Sequence, residues 1–274
     1  MKKLVYLVLF VLLGFNAVYA QNNDHIQLIR NATLSINYAG HKILVDPMFS
    51  PKAGLVSIAG KEISPLVDLP MPSNEILKNV ELLMLTHNHI DHFDPSAIKL
   101  LDKNMKVISQ PADRDTLENL GFKNIETVQN SYKWNDIEVI RTIAQHGTGR
   151  VLDLMGKVSG YILKAKNHPT IYIVGDAVWT EDIYNNIKKY EPDYILVNSG
   201  GAKMPSYEAT PIIMDAQQTV SLIQESGKAK VIAIHMDAID HCYTTREVLK
   251  HELKKYSFDS GKVLIPADGE RIDL

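Results

Sequence analysis

Seven histidine and aspartate side chains in this 274-residue chain are placed to hold divalent cations, and four of them fall within six positions. The segment Thr86-His87-Asn88-His89-Ile90-Asp91-His92 carries three imidazoles and one carboxylate. Neutral imidazole and ionised carboxylate are the ligand types of zinc and similar ions. The other three residues, His146, Asp176 and His235, are isolated in the sequence. Each arrives just beyond a short apolar run, as His87 does after Leu82-Leu83-Met84-Leu85. Asp46 occupies the same kind of position after Ile43-Leu44-Val45. Side chains at strand ends can converge on one rim of a sheet, whereas those inside a strand alternate between its faces.

The spacing divides the set in two. His87 and His89, two apart in an extended turn, can face one ion together with His146. Asp91 and His92 can face the other way, toward a second ion with His235, which leaves Asp176 as the bridging carboxylate. Each ion keeps an open position, as a catalytic site requires. Two cations about 3.5–4 Å apart can share a hydroxide and supply a nucleophile at neutral pH. The nitrogen-rich set favours two zinc ions, with manganese or iron also compatible. Asp91 is thus a catalytic as well as a ligand residue. His241, six positions after His235, is a second catalytic candidate, for substrate binding or proton transfer; the competing assignment is a capping or core histidine. Asp237 and Asp240 are expected in solvent, Cys242 as a small buried residue, and Trp179 and Tyr207 as packing aromatics. Gly147-Thr148-Gly149 is expected as a turn, and His25, His41, His168 and His251 at the surface.

Positioning such a set requires many short strands. An extended pattern runs from 26 to 46, with strand alternation over 33–38 and a turn at Ala39-Gly40. A turn-rich loop over 54–72 and a short helix over 74–78 precede the strand that leads into His87. Asp94-Pro95 is a helix cap and first helical residue, opening a helix over 95–101. Strands are expected over 106–109, 125–128, 137–143, 160–166, 171–174, 194–197 and 231–234. Helices are expected over 111–120, closed by Gly121, and over 181–190, 211–225 and 244–256. Strands cluster early and alternate with helices later, which indicates mixed sheets with helices outside them.

Composition excludes several classes. With 29 basic and 32 acidic residues the net charge is −3, and no basic stripe suits a nucleic acid. Lys2-Lys3, the apolar run 4–13 and Val18-Tyr19-Ala20 form a signal-peptide pattern over 1–20, cleaved near Ala20. The apolar run is shorter than the ~20 residues of a membrane span. The mature chain, 21–274, is therefore expected to be secreted or periplasmic without a stable membrane span. Cys242 is the sole cysteine, so no intrachain disulfide forms and the core must carry stability.

The ordered set of His87, His89, Asp91, His92, His146, Asp176 and His235 resembles the metallo-β-lactamase-fold hydrolase superfamily. Asp46 matches the early aspartate that helps hold the metal-binding loop in that family. The resemblance covers almost all of the mature chain. It implies an α/β fold, a four-layer αββα sandwich of two mixed sheets with the metals at one edge. Asn31-Ala32-Thr33 and Ile43-Leu44-Val45-Asp46-Pro47 are similar to the opening of two branches, the ascorbate-6-phosphate lactonase-like and the N-acyl-phosphatidylethanolamine phospholipase D-like members. Those commonly carry a histidine where this chain has Asn31. The HxHxDH form, in place of HxHxDR, disfavours antibiotic hydrolysis, and His89 stands where flavodiiron oxidoreductases have a glutamate. Between His146 and Asp176 there is no room for the inserted domain of nucleic-acid-processing members. Together with the signal-peptide pattern, the resemblance implies an exported dinuclear-metal hydrolase of an ester, lactone or phosphodiester, acting on a small-molecule or lipid-like substrate. The alternative is a non-catalytic metal-binding protein of the same fold.

Overall fold

Strands made of uninterrupted aliphatic residues cannot leave either face in water, so they need cover on both sides. That requirement organises the chain. The computed structural model describes residues 23–274, and the expected leader over 1–20 lies outside the described residues. The first sheet contains β1 (His25–Arg30), β2 (Thr33–Tyr38), β3 (His41–Val45), β4 (Leu82–Met84), β5 (Lys106–Ser109) and β6 (Asn124–Thr127). The second contains β7 (Ser131–Trp134), β8 (Ile137–Ala144), β9 (Val158–Lys164), β10 (Ile171–Ile173), β11 (Tyr194–Asn198), β12 (Lys230–Ile234) and β13 (Val263–Leu264). The last strand, β14 (Arg271–Asp273), returns to the first sheet beside β1. Strand order is β14-β1-β2-β3-β4-β5-β6 in one sheet and β13-β12-β11-β10-β9-β8-β7 in the other. Both are mixed. Strands β3 to β6 run parallel, as do β10 to β13, and the remaining pairings are antiparallel.

The two-residue period of a strand divides its side chains between two cores. Ile43, Val45, Leu82 and Met84 point between the sheets, where they meet Tyr161, Leu163, Ile171, Leu196 and Ile232. Their sequence neighbours Leu44, Leu83 and Leu85 point outward onto Ile76, Phe93, Ala97 and Leu117. Those four belong to α1 (Ser73–Leu77), the segment ahead of and within α2 (Pro95–Leu100), and α3 (Arg114–Asn119). On the far side, Ile162, Tyr172, Ile195 and Val231 pack against Ile183, Leu222 and Leu249. Those three lie on α5 (Glu181–Tyr190), α6 (Ala216–Glu225) and α7 (Arg246–Leu253). Helix, sheet, sheet, helix is the αββα order that the resemblance implies. No helix among the described residues is long and apolar enough to cross a membrane.

Most expected elements are present, and the differences have local causes. The helix expected over 211–225 begins only at Ala216, where Asp215 caps it by accepting from the Gln218 amide at 2.9 Å. Residues ahead of the cap are taken up by tertiary bonds, Ile212 N to Ala202 O and Met214 N to Ala177 O. The helix expected over 244–256 is likewise shorter, starting after the Thr245 cap. The 111–120 helix opens with a 3-10 turn, Pro111–Asp113. Four elements had no clear sequence signal: β7, β13, β14 and α4 (Arg150–Met155). The three strands are edge or near-edge pieces that lean on partners for their shape.

Two hydrogen bonds tie the sheets together beside the segment His87 to His92. Ser159 N donates to Thr86 O at 3.1 Å, and the buried Tyr161 hydroxyl donates to Leu85 O at 3.0 Å. Replacing Tyr161 by Phe would leave the Leu85 carbonyl without that donor in a dry site. Such a loss typically costs about 1–3 kcal/mol. We therefore expect Tyr161→Phe to lower the unfolding free energy by that amount in urea titration; an unchanged midpoint would show that the bond is dispensable.

Candidate metal centre

Every strand that carries a site residue ends at the same rim. Asp46 follows β3, the segment His87 to His92 follows β4, His146 follows β8, Asp176 follows β10 and His235 follows β12. Parallel neighbours bring their C-terminal ends side by side, Val45 opposite Met84 and Asn198 opposite Ile234. Crevices at such ends are where α/β sheets bind ligands. The HxHxDH segment is stopped by Asp94, whose carboxylate accepts from the Ala97 amide at 2.7 Å and caps α2.

The side chains converge as three overlapping groups: His87, His89 and His146; His87, His92 and Asp176; and Asp91, His92 and His235. Within each group the ligand atoms lie within 4.8 Å of one another. The first and third groups are the division that the spacing implied, and Asp176 lies between them. Its Oδ2 is 3.4 Å from His146 Nε2, 3.2 Å from His92 Nε2 and 3.9 Å from His87 Nε2. Its Oδ1 is 3.8 Å from His235 Nε2. On the other side Asp91 Oδ2 is 3.3 Å from His235 Nε2 and 3.9 Å from His92 Nε2. All but the half-buried His89 are buried.

Hydrogen bonds behind the rings decide which nitrogen faces inward. His92 Nδ1 is 2.9 Å from Asp46 Oδ2, and His146 Nδ1 is 2.9 Å from the Ile212 carbonyl. Carboxylate and carbonyl can only accept, so each Nδ1 carries the proton and each Nε2 presents a lone pair to the pocket. Two lone pairs beside the Asp176 carboxylate repel unless positive charge stands among them. In the absence of a cation a proton must supply it. Burial would depress His92, but the Asp176 and Asp91 carboxylates, with bonds to Asp176 and Asp46, raise it to about 10. Burial would likewise raise Asp91 and Asp176, yet the surrounding imidazoles, His92 first, hold both well below the usual range. Among the described residues Asp91 Oδ2 is buried with no hydrogen-bond partner. An orphaned carboxylate oxygen facing imidazole lone pairs is the donor set of a cation site. The residues present fit divalent metal.

Asp46 is the brace of the assembly. It accepts from Thr86 N at 2.8 Å and Thr86 Oγ1 at 2.6 Å, besides His92. Thr86 Oγ1 lies 3.0 Å from His87 Nδ1, so one carboxylate orients two rings. Asn31, Asp46 and His235 all have left-handed backbone, with φ of 59°, 44° and 63°. Strain of this kind persists where surrounding contacts over-determine it. Asn31 donates from Nδ2 to the Asp91 carbonyl at 3.0 Å. His235 N also donates to the Asn31 carbonyl at 3.0 Å. Gly175, at φ 75°, lets β10 reach Asp176, since a Cβ there would stand 2.6 Å from the Ser159 carbonyl.

Other residues are placed as follows. His241 is buried at 4% exposure beside the centre, with Nε2 3.9 Å from Asp91 Oδ2 and Nδ1 unpartnered among the described residues. Asp240, expected in solvent, is instead buried and gathers the loop over 57–64. Ser57 Oγ donates to it at 2.5 Å, and the Ile58 and Ala59 amides at 2.9 and 3.0 Å. Burial would raise its carboxyl, but the Ser57 hydroxyl and the Ile58, Lys61 and Ala59 amides outweigh that and hold it at about 2. Sequence alone could not show this because the donors lie some 180 positions away. Asp237, also expected in solvent, is half-buried in an ion pair with Arg246 at 2.9 Å. Trp179 and Tyr207 pack, and Gly147 turns the chain at φ 98°. His25, His41 and His168 make local contacts away from the centre, and His251 is exposed on α7. Asn198 was missed. Its Nδ2 donates to Asp176 Oδ1 at 2.6 Å, and it ends an apolar run, the same signal that marks the ligands.

Comparison with known proteins agrees with this geometry. The family described as "Beta-lactamase superfamily domain" matches residues 41–236. The UPF0173 protein YddR of Bacillus subtilis is 35% identical over 252 residues, covering 90% of this chain and 98% of the relative. The crystal structure of a possible metal-dependent hydrolase from Veillonella parvula superposes with a TM-score of 0.87 at 32% identity, over 92% of this chain and all of that one. An isothiocyanate hydrolase from Delia radicum gut bacteria gives 0.84 at 32% identity, over 91% and 98% of the two chains. A matched family domain, a full-length relative and a shared αββα sandwich meet at one His/Asp rim, and the chain belongs to the metal-dependent hydrolases of the metallo-β-lactamase superfamily.

Proposed function

We propose that this chain is an exported hydrolase that holds two divalent ions, zinc by preference, and attacks the electrophilic centre of a small molecule with water. The observation that carries the reading is the pair of His/Asp triads on either side of Asp176. His87, His89 and His146 would hold one ion, Asp91, His92 and His235 the other, with Asp176 shared. Bound ions supply Lewis acidity and bring the pKa of water toward neutrality. The chain's own residues do the rest. Asp46 and Ile212 keep the His92 and His146 lone pairs aimed inward. The close walls around Asp91 and Asp176 exclude bulk water. His241, whose buried Nδ1 has no hydrogen-bond partner among the described residues and whose Nε2 is near Asp91, would bind substrate or pass it a proton.

Esters, lactones and phosphodiesters are the broad substrate class. The isothiocyanate hydrolase relative adds a heterocumulene carbon to it. Water added across the C=N bond of an isothiocyanate, R–N=C=S, would give a thiocarbamic acid that divides into R–NH2 and carbonyl sulfide. A shared electrophilic carbon favours isothiocyanates, esters and lactones over phosphodiesters for this chain. The rival reading, a metal-retaining binding protein, needs the same ligands but no turnover.

Five measurements test the proposal. Metal-reconstituted protein should hold two ions per chain, and fewer than one would overturn it. Across isothiocyanates, lactones, aryl esters and bis-aryl phosphates the loaded protein should turn over at least one carbon electrophile, with Asp91→Ala inactive. A flat panel would favour the binding protein. His241→Asn should lower kcat/KM by about 10²–10⁴-fold, the usual weight of a general acid or base, while metal content stays unchanged. Asp46→Ala should weaken metal retention by about 10–100-fold, as loss of a ring-orienting partner does. The intact mass of protein recovered from an exporting host should correspond to a chain beginning at Gln21, and an uncleaved chain would remove the export element alone.

A further inference from the structure

His235 differs from the other buried ring ligands in what stands behind it. His92, His146 and His87 each set Nδ1 against an oxygen, those of Asp46, Ile212 and Thr86, at 2.9, 2.9 and 3.0 Å. His235 Nδ1 instead faces the Cys242 sulfur at 3.5 Å. The thiol has its own acceptor, the His235 carbonyl, 3.7 Å from Sγ. With its proton committed there, the sulfur lone pair is free to accept from His235 Nδ1–H. That sets the tautomer in which Nε2 faces Asp91 and Asp176 as a lone pair. The thiol is a small hydrophobe as well as a weak acceptor, so it can occupy an apolar corner that a carboxylate could not.

The corner is shaped around it. A Cβ on Gly200, just beyond β11, would stand 2.7 Å from Cys242 Sγ and 2.2 Å from the His235 carbonyl. Only glycine lets that chain pass so close to the sulfur. Cys242 N also donates to Ile239 O at 3.2 Å, and Thr244 N to Gly200 O at 2.8 Å, which fixes the sulfur from both sides. His235 itself is held at φ 63° with its amide bonded to Asn31. Its ring direction is therefore set by the backbone and its tautomer by the sulfur.

We propose that Cys242 is the positioning residue of His235, and that its thiol sets the affinity of the Asp91–His92–His235 site for its ion. This rests on the two-ion reading above. It assigns Cys242 a role through His235 alone, with no contact to substrate.

The test is a chelator titration of zinc-loaded wild type, Cys242→Ala and Cys242→Ser, with cobalt-substituted protein read by its visible absorption. The Ala variant should lose affinity for one ion by about 10–100-fold while the other ion is retained, and the cobalt bands of one site should change. The Ser variant keeps a hydroxyl that can donate and accept as the thiol does, and should stay within a few-fold of wild type. Melting of the metal-free proteins reports packing separately. If Ala destabilises the metal-free fold, the Ser variant against a Cys242→Val variant gives the same comparison at closer volume. An Ala variant that releases both ions as wild type does overturns the role of Cys242 and leaves the functional reading standing. So does a Ser variant that loses its ion as Ala does, since the effect would then be packing. Wild type that binds no ion overturns both.

Discussion

Three carboxylates, Asp46, Asp91 and Asp176, are buried together, and among the described residues the side chains that pair with them by charge are histidines. Burying one ionised carboxylate without compensation is expensive, and burying three in one rim is untenable without positive charge. The structure spends its hydrogen bonds accordingly. Asp46 is fully engaged by Thr86 and His92, and Asp176 is steadied by Asn198. Asp91 is left with an oxygen that accepts no hydrogen bond among the described residues. The rest of the fold can be read as the scaffold that keeps this imbalance in place until cations resolve it.

Two sheets are needed because neither holds a full ligand set. The first sheet delivers Asp46 and the segment His87 to His92, while the second delivers His146, Asp176 and His235. Their relative placement is set by the shared core between the sheets and by the Tyr161 and Ser159 bonds across it. A shift of the sheets would therefore separate the two halves of the centre. Packing between the sheets and geometry at the site are one property here, which is why core residues such as Tyr161 bear on the placement of the His/Asp cluster.

The loop over 57–64 shows a second use of a buried carboxylate. Asp240 accepts several amides and hydroxyls of that loop, just one residue from His241. Arg30 holds the adjoining stretch by its carbonyls, donating to Met48, Ser50 and Val67. Loop and centre are thus fastened to the same short segment after β12. Loop placement and ligand geometry share an anchor, although the two are built from residues far apart in sequence.

The convergence of these histidines and aspartates on one rim was legible because its signal is local. Each member is a histidine or aspartate directly after an apolar run, and the strand period makes such ends converge. The αββα order followed from the resemblance and from runs such as Leu82 to Leu85 that need cover on both faces. What the sequence could not carry is anything decided by partners distant along the chain. Asp237 and Asp240 read as solvated because nothing near them in sequence binds them; Arg246 and the 57–64 loop do so only once the fold is formed. Asn198 on Asp176, Ile212 on His146 and Cys242 on His235 are of the same kind. Residue type and strand pattern determined which groups could ligate; tertiary packing alone decided which ring nitrogen faces inward, because a tautomer depends on what stands behind the ring.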